Sequence, residues 1–228
     1  PPGGGRMATA LRTVRAAVAA AAARAGRDPR GITLVGVSKY ATDEAVRAAY
    51  DEGLRDFGEN RAEEFVARAA LLPGDVRWHF VGTLQGNKVR RVRPITHLLH
   101  SLDRAELAGY WMKGPGAPPP ALVQVNLGLE PQKGGVAPGD ALELVSTAIG
   151  LGIDVRGLMT VPPVGDSAEA SRPYFNELRR LRDQIGESHP AVVELSMGMT
   201  DDFEVAVEEG ASVLRVGRAI FGPFHDGD

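Results

Sequence analysis

The stretch Ile32-Thr33-Leu34-Val35-Gly36-Val37 decides the fold, because it is almost continuously apolar and is followed at once by the polar pair Ser38-Lys39. An apolar run of this length is typical of a strand whose two faces are both covered, as in a parallel sheet. Seven further short apolar or β-branched runs follow, and they begin near Leu54, Val76, His97, Ala121, Ile153, Val192 and Ser212. The chain therefore predicts eight buried strands.

Helical or polar stretches separate these strands, and such alternation is typical of α/β proteins. We predict a single (β/α)8 TIM barrel with an extra N-terminal helix, formed by residues 7–228 and preceded by a disordered tail over residues 1–6. A doubly wound open sheet is the alternative, but it favours a glycine-rich turn after the first strand, where this chain has Ser38-Lys39-Tyr40. No stretch indicates a linker between domains, and residues 113–120 are interpreted as a surface loop before the fifth strand.

The helices expected between the strands start at residues 43, 63, 105, 141, 172 and 201, and a weaker helix is expected over 87–93. Thr42 precedes the first of them as an N-cap. The arginines of the weaker helix, Arg90, Arg91 and Arg93, are expected in solvent. Histidines with no metal-ligand spacing are expected as packed, hydrogen-bonded core residues, namely His79, His97 and His100.

The composition excludes several classes of function. The 228 residues carry 26 Lys and Arg against 29 Asp and Glu, a net charge of −3, so a basic nucleic-acid-binding surface is not expected. The chain has no cysteine, which excludes disulfides, thiolate metal sites and a cysteine nucleophile, and fits a reducing compartment. No segment of the sequence is expected to be long and apolar enough to cross a bilayer. We predict a cytoplasmic monomer with no membrane or nucleic-acid partner.

The N-terminal segment allows two interpretations. Residues 1–27 contain several arginines and no acidic residue, with an alanine-rich run over 16–23, as in a transit or signal peptide. The same residues also fit a leading helix with Leu11, Val14 and Val18 on one face. The helix is favoured, because alanine makes a weak apolar core for a signal peptide.

The segment after the seventh strand carries the strongest indication of a ligand. In a TIM barrel the site lies at the carboxyl ends of the strands, and phosphate is often bound by the loops after strands seven and eight. Two hydroxyls, Ser196 and Thr200, flank Gly198 there, and Gly217-Arg218 follows the eighth strand. Backbone N–H groups and hydroxyls at this place would form a cup for a phosphate group. The alternative is an ordinary N-cap, in which Thr200 caps the next helix.

Two cations are expected at the same end of the barrel. Lys39 follows the first strand, and a lysine in a partly desolvated site can be the neutral amine that attacks aldehydes. Together with a phosphate cup it indicates pyridoxal 5′-phosphate (PLP) held as a lysine imine. Arg215 would then donate to the pyridine ring nitrogen and leave that nitrogen unprotonated. Lys39 could instead pair with Glu59, and Arg215 could form a salt bridge with Glu194.

Seven motifs occur in order along the chain: Val37-Ser38-Lys39, Phe57-Gly58-Glu59-Asn60, Trp78-His79-Phe80-Val81-Gly82, Leu84-Gln85-x-Asn87-Lys88, Gly157-Leu158-Met159, Leu195-Ser196-Met197-Gly198-Met199-Thr200-Asp201-Asp202 and Arg215-Val216-Gly217-x-x-Ile220-Phe221-Gly222. This set resembles the pyridoxal phosphate homeostasis protein family, a relative of the N-terminal barrel domain of alanine racemase. The resemblance runs from about Ile32 to Gly222. It implies a single barrel with PLP bound at its mouth.

The resemblance also implies roles for individual residues. By position, Lys39 matches the family's imine lysine, Arg215 matches the arginine at the pyridine nitrogen, and Asn60 matches a residue near the cofactor. The implied phosphate ligands are Ser196, Gly198, Met199, Thr200, Gly217 and Arg218. One departure lies three residues after the lysine, where the family usually has proline and this chain has Thr42. We assign no catalytic residue and no metal site.

The favoured function is a protein that carries, buffers or delivers PLP in vitamin B6 homeostasis, with PLP-dependent apo-enzymes as recipients. A PLP-dependent amino-acid racemase is the first alternative. Racemisation needs two bases on opposite faces of the α-carbon, and Tyr40 is expected to face away from Lys39, because neighbouring residues alternate along a strand. The second alternative is a PLP-free barrel enzyme acting on a sugar phosphate, which leaves Lys39 and Arg215 without a role.

Overall fold

The barrel is seen in a computed structural model that describes residues 2–223. Its eight strands are parallel, and each pairs with the next along the chain until β8 pairs with β1 and closes the barrel. The strands are β1 Thr33–Val37, β2 Asp56–Glu59, β3 Arg77–Phe80, β4 Thr96–Leu102, β5 Ala121–Gln124, β6 Val155–Met159, β7 Glu194–Ser196 and β8 Val213–Val216. Every strand begins within two residues of its predicted start. The predicted (β/α)8 barrel is confirmed, and the open sheet is excluded.

Helices surround this barrel. Within the described residues they are α1 Pro2–Arg24, α2 Asp43–Asp51, α3 Ala62–Ala69, α4 Val89–Val92, α5 Ala105–Met112, α6 Ala141–Leu151, α7 Arg172–Gly186, α8 Phe203–Glu208 and α9 Arg218–Phe221. All the expected helices are present, and α9 is additional. The weak helix over 87–93 is shorter than expected, because its first turn is a 3₁₀ helix over Gly86–Lys88.

The start of α2 confirms the predicted N-cap. The Thr42 hydroxyl accepts a hydrogen bond from the Ala45 backbone N–H at 3.2 Å, and Asp43 and Glu44 place negative charge in the first turn. Both features stabilise the amino end of a helix. They fix where α2 begins, four residues after Lys39, and so limit the length of the turn that carries the lysine.

Helix α1 buries the predicted apolar face. Leu11, Val14 and Val18 are buried, and the helix packs against α2, α8 and α9. The tail expected over residues 1–6 differs from the structure, in which α1 begins at Pro2, because its helical hydrogen bonding continues through the glycines; Pro1 lies outside the described residues. Over the described part of the chain, no helix has the length and apolarity needed to cross a membrane.

Two predictions about side-chain exposure are wrong. Arg93 is buried, because its guanidinium donates to three carbonyl oxygens of α5 and the following loop, at 2.8 to 2.9 Å. That contact holds the loop over 113–120 against the barrel. His97 is exposed rather than packed in the core, because it lies near the amino end of β4, at the rim of the barrel.

Candidate functional site

A cavity of about 580 Å³ opens at the carboxyl ends of the strands. Small-molecule sites usually enclose ~300–1,000 Å³, so this cavity has the size of a ligand site. Most of the predicted site residues line it: Lys39, Asn60, Met199, Thr200, Arg215, Gly217 and Arg218. Ser196 and Gly198 are not part of the lining. The structure therefore brings the predicted residues to one place but separates two of them from the cavity surface.

One wall of the cavity comes from residues 161–168 after β6, for which the sequence carries no predicted role. Lys133 Nζ donates to the Pro162 carbonyl oxygen at 2.9 Å and pairs with Glu130 at 2.6 Å. These contacts tie the wall to the loop after β5. The sequence signal that was available for this wall is the pair Pro162-Pro163, because proline restricts the backbone, here three residues after the end of β6.

Lys39 and Tyr40 lie side by side at the mouth of the barrel. The Lys39 Nζ lies 4.9 Å from the centre of the Tyr40 ring, a cation–π distance. The prediction that Tyr40 faces away from Lys39 is wrong, because β1 already ends at Val37 and Tyr40 adopts a left-handed φ of 61°. Side chains alternate only within a strand, and this turn brings the ring back to the lysine.

Arg215 is buried inside the barrel and faces the cavity. Its Nη1 donates to Ser196 Oγ at 2.5 Å, and its Nη2 donates to the Thr160 carbonyl oxygen at 2.9 Å. Burial lowers the pKa of Arg215 to about 10, although the charge of Asp202 acts in the opposite direction. The side chain thus stays a cation at neutral pH and can only donate hydrogen bonds. Glu194, its alternative partner, instead accepts a hydrogen bond from the serine just before β8.

Ser196 contacts this arginine and a row of histidines. It is fully buried, and its Oγ lies 2.8 Å from His100 Nδ1. His100 Nε2 lies 2.8 Å from His79 Nδ1, and His79 Nε2 lies 3.0 Å from Asp56 Oδ1. Burial lowers the pKa of His100 well below its ordinary value, so that ring is neutral. The prediction that His79 and His100 are hydrogen-bonded core residues is confirmed.

Gly198 shapes the loop after β7. Its φ is 99°, and a Cβ on it would lie 2.6 Å from the Cβ of Ala206, so both the backbone conformation and the space require glycine. Its carbonyl oxygen accepts from the Arg215 backbone N–H at 3.0 Å. Asp202 closes the loop by accepting from the Met199 backbone N–H at 2.8 Å. Gly198 thus acts by packing the loop against α8.

Thr200 joins the two loops beside the cavity. Its Oγ1 accepts from the Ala219 backbone N–H at 3.2 Å. The alternative N-cap role does not occur, because α8 begins later, at Phe203. Among the described residues, the backbone N–H groups of Thr200, Gly217 and Arg218 donate to no protein acceptor. These groups and the Thr200 hydroxyl proton form a set of donors suited to an oxyanion.

The backbone of Asn60 packs directly against Gly82. A Cβ on Gly82 would lie 2.1 Å from the Asn60 carbonyl oxygen, so the two backbones are in direct contact. The preceding residue, Glu59, is buried, and its Oε1 lies 2.5 Å from Ser38 Oγ and 3.6 Å from the guanidinium of Arg68. Burial raises the pKa of Glu59 to about 7, and those two contacts only partly oppose the shift.

The cavity thus combines a primary amine, a fixed guanidinium and a row of N–H donors. An amine can react with an aldehyde, and the donors can bind a phosphate. Among residues 2–223, no group of three or more histidine, cysteine, aspartate or glutamate side chains is placed to hold a metal ion. The arrangement fits a small anionic molecule that carries a reactive carbonyl.

The closed barrel and its lysine–arginine cavity define a barrel of the alanine racemase type, and residues 11–224 match the family described as alanine racemase, N-terminal domain. The chain is 44% identical over 205 residues to the pyridoxal phosphate homeostasis protein of Aquifex aeolicus. This match covers 87% of this chain and 90% of that protein. It is 34% identical to the protein of the same name from Escherichia coli, with 93% and 94% covered. The chain belongs to the pyridoxal phosphate homeostasis protein family.

A solved structure of a related protein agrees with this assignment. PipY of Synechococcus elongatus is 32% identical to this chain, and the match covers 95% of this chain and all of PipY. The TM-score is 0.83 for PipY without PLP and 0.78 for PipY with PLP bound. The barrel described above is therefore the fold of an experimentally determined relative.

Proposed function

We propose that this chain binds PLP in the cavity at the carboxyl ends of the strands and acts as a carrier or buffer of PLP in vitamin B6 homeostasis. The observation that carries the proposal is that Lys39, Arg215 and the donors around Thr200 line one cavity. The name of the family and the PLP found in PipY support it. PLP offers three groups that need partners, namely a phosphate, an aldehyde and a ring nitrogen.

The phosphate fits the loops after β7 and β8. The backbone N–H groups of Thr200, Gly217 and Arg218, which have no acceptor within residues 2–223, and the hydroxyl of Thr200 would surround its oxygens. Hydrogen bonds to a charged group contribute more than neutral ones, roughly 1.5–3 kcal/mol each. Gly217 permits close packing here, because a Cβ on it would lie 3.2 Å from the Val37 carbonyl oxygen.

The aldehyde fits Lys39. The neutral amine of Lys39 would add to the aldehyde carbon, the aldehyde oxygen would leave as water, and a carbon–nitrogen double bond would remain. Lys39 Nζ lies 4.9 Å from the centre of the Tyr40 ring, at the mouth of the cavity that would hold the aldehyde.

The ring nitrogen fits Arg215, and this pairing favours a carrier over a racemase. Bound PLP supplies an electrophilic carbon–nitrogen bond conjugated to an electron-withdrawing ring. A guanidinium can only donate, so it leaves the ring nitrogen unprotonated and the ring less electron-withdrawing. Tyr40 lies beside Lys39, whereas racemisation requires bases on opposite faces of the α-carbon. Both observations support a protein that holds PLP.

Residues 7–228 would form one PLP-binding domain, with Lys39, Asn60, Met199, Thr200, Arg215, Gly217 and Arg218 at the cofactor. Ser196 and Gly198, which do not line the cavity, would act on the cofactor only through residues of the lining. The protein would work in the cytoplasm as a monomer and pass PLP to apo-forms of PLP-dependent enzymes.

A titration tests the proposal. Purified chain is mixed with PLP, with pyridoxal or with inorganic phosphate, and binding is followed by absorbance and calorimetry. We expect a new absorbance band with PLP, weaker binding of pyridoxal and competition by phosphate. The loaded protein should then restore activity to an apo-form of a PLP-dependent enzyme across a dialysis membrane. Binding of sugar phosphates with no absorbance change from PLP would instead favour the PLP-free enzyme.

A further inference from the structure

A row of five buried polar side chains runs through the inside of the barrel. It begins at Arg215 beside the cavity, passes through Ser196, His100 and His79, and ends at Asp56, the first residue of β2. Successive atoms are 2.5, 2.8, 2.8 and 3.0 Å apart. No member is more than 8% exposed. The row therefore connects the cavity to the opposite, amino-terminal end of the barrel.

The arginine end of the row sets the direction of its hydrogen bonds. Arg215 can only donate, so Ser196 Oγ accepts from it. The Ser196 hydroxyl proton then has His100 Nδ1 as its acceptor. His100 Nδ1 must therefore carry no proton. The ring proton of His100 lies on Nε2, which donates to His79 Nδ1.

The aspartate end sets the same direction independently. Burial alone would raise the pKa of Asp56, but hydrogen bonds from His79 and Arg77 outweigh it and lower the pKa to about 2. The carboxylate is therefore an acceptor only, and His79 Nε2 must carry a proton. In the reverse arrangement His100 would donate to Ser196, and the Ser196 proton would have no acceptor among the described residues. An unpaired buried donor is unfavourable.

We propose that Ser196, His100 and His79 are positioning residues for Arg215, joined in a one-way hydrogen-bond chain in which each histidine donates from Nε2 and accepts at Nδ1. The chain fixes one edge of the guanidinium on Ser196, while the Thr160 carbonyl oxygen fixes another. The remaining N–H groups keep one orientation toward the cavity. Aligned hydrogen bonds polarise one another, so the chain also couples the Asp56 carboxylate to the buried Arg215 cation. Only the identity of the ligand that Arg215 would contact rests on the proposed function.

Nitrogen spectra of the cofactor-free full chain test the direction. With ¹⁵N-labelled histidine, long-range proton–nitrogen correlations distinguish a bare from a protonated ring nitrogen. We expect His79 and His100 each to show a bare Nδ1 and a protonated Nε2. A proton on Nδ1 of either ring overturns the proposal, and so does a doubly protonated His79.

A pair of serine variants tests the positioning role. Ser196→Ala removes the acceptor of Arg215, whereas Ser101→Ala is the matched control, since Ser101 is an equally buried serine next to His100 whose hydroxyl has no partner among the described residues. For Ser196→Ala we expect a shifted His100 Nδ1 signal and an about tenfold loss of affinity for both PLP and pyridoxal. The control should change neither quantity.

The outcomes separate this proposal from the proposed function. Unchanged affinity and an unchanged His100 signal in Ser196→Ala overturn the positioning role. A loss confined to PLP overturns it too, because it would place Ser196 at the phosphate. A wild-type chain that binds no PLP contradicts the proposed function, while the histidine spectra still decide the direction of the chain. The wild-type spectra also decide it if Ser196→Ala does not fold.

Discussion

The hydroxyl of Ser38 donates a 2.5 Å hydrogen bond to Oε1 of Glu59, and both side chains are fully buried one residue away from cavity-lining residues. Among the described residues, the other carboxylate oxygen, Oε2, has no hydrogen-bond partner. A carboxyl in this environment favours its neutral form, since burial penalises the charge. This explains the raised pKa of Glu59, about 7.

Glu59 should make the stability of the protein depend on pH. Its pKa rises from about 4.5 in the unfolded chain to about 7 in the folded one, so folding favours the protonated form. The stabilisation is therefore complete at low pH and is lost as the pH rises from about 4.5 to about 7, by roughly 3 kcal/mol. Urea unfolding of wild type and Glu59→Gln across this range measures it. The variant should show a flatter profile.

The control for this experiment is Glu177→Gln, which changes an exposed glutamate of α7. It should keep the wild-type pH profile. A Glu59→Gln profile as steep as that of the wild type would show that Glu59 is ionised in the folded protein throughout the range.

Thr200→Val should weaken the binding of PLP much more than that of pyridoxal. The change removes one donor to a doubly charged group, which contributes roughly 1.5–3 kcal/mol, so PLP affinity should fall at least about tenfold. Calorimetric titration with both ligands measures the difference. Thr13→Val, on the exposed face of α1, is the control. Equal losses for both ligands would mean that the hydroxyl only ties the loops together through Ala219.

Gly82→Ala should displace Asn60, which lines the cavity. Its new Cβ would lie 2.1 Å from the Asn60 carbonyl oxygen and 2.7 Å from the Asn60 Cα, so the backbone of Asn60 must move. Overpacking of this kind costs about 1–3 kcal/mol, and PLP binding should weaken as well. Thermal unfolding and titration measure both effects. Gly139→Ala, where nothing lies within 4 Å of the new Cβ, should be neutral; an equally neutral Gly82→Ala would show that Asn60 can shift freely.

The loaded protein should not racemise amino acids at an enzymatic rate. Under the proposed function the Arg215 guanidinium would leave the ring nitrogen unprotonated, and racemisation with an acid–base residue on only one face of the α-carbon would be slower by about a hundred- to ten-thousand-fold. Incubation with L-alanine in deuterated water, followed by chiral chromatography and mass spectrometry, measures inversion and α-deuterium. Turnover at about 1 s⁻¹ or more would make this chain a racemase instead.

The barrel and the cavity cations could be predicted from the sequence because both depend on local patterns. Apolar runs at regular spacing define the strands, and a lysine directly after a strand must lie at the carboxyl end of the barrel. Lys39 and Arg215 are accordingly found at the cavity. The Thr42 cap could be predicted for the same reason, since capping involves neighbouring residues.

Other features of the fold and the site could not be predicted, mainly because they depend on contacts between distant parts of the chain. The Ser196 hydroxyl follows a phosphate-type pattern, but a histidine 96 residues away contacts it in the fold. The sequence predicts Arg93 at the surface, but in the fold α5 and the loop after it cover this side chain. Tyr40 deviates from strand alternation only because its backbone takes a left-handed conformation. The first two contacts leave no local signal in the sequence, and the residue type of Tyr40 does not signal its left-handed backbone.

Lys39 should form the covalent link to PLP. Borohydride reduction of the PLP-treated protein, followed by peptide mapping with mass spectrometry, locates that link directly. We expect the modification on the peptide that contains Lys39, its loss in a folded Lys39→Ala variant, and its retention in Lys113→Ala, the control at an exposed lysine after α5. A reducible adduct that persists in Lys39→Ala, or that maps to Lys133 or Lys88, would contradict the account.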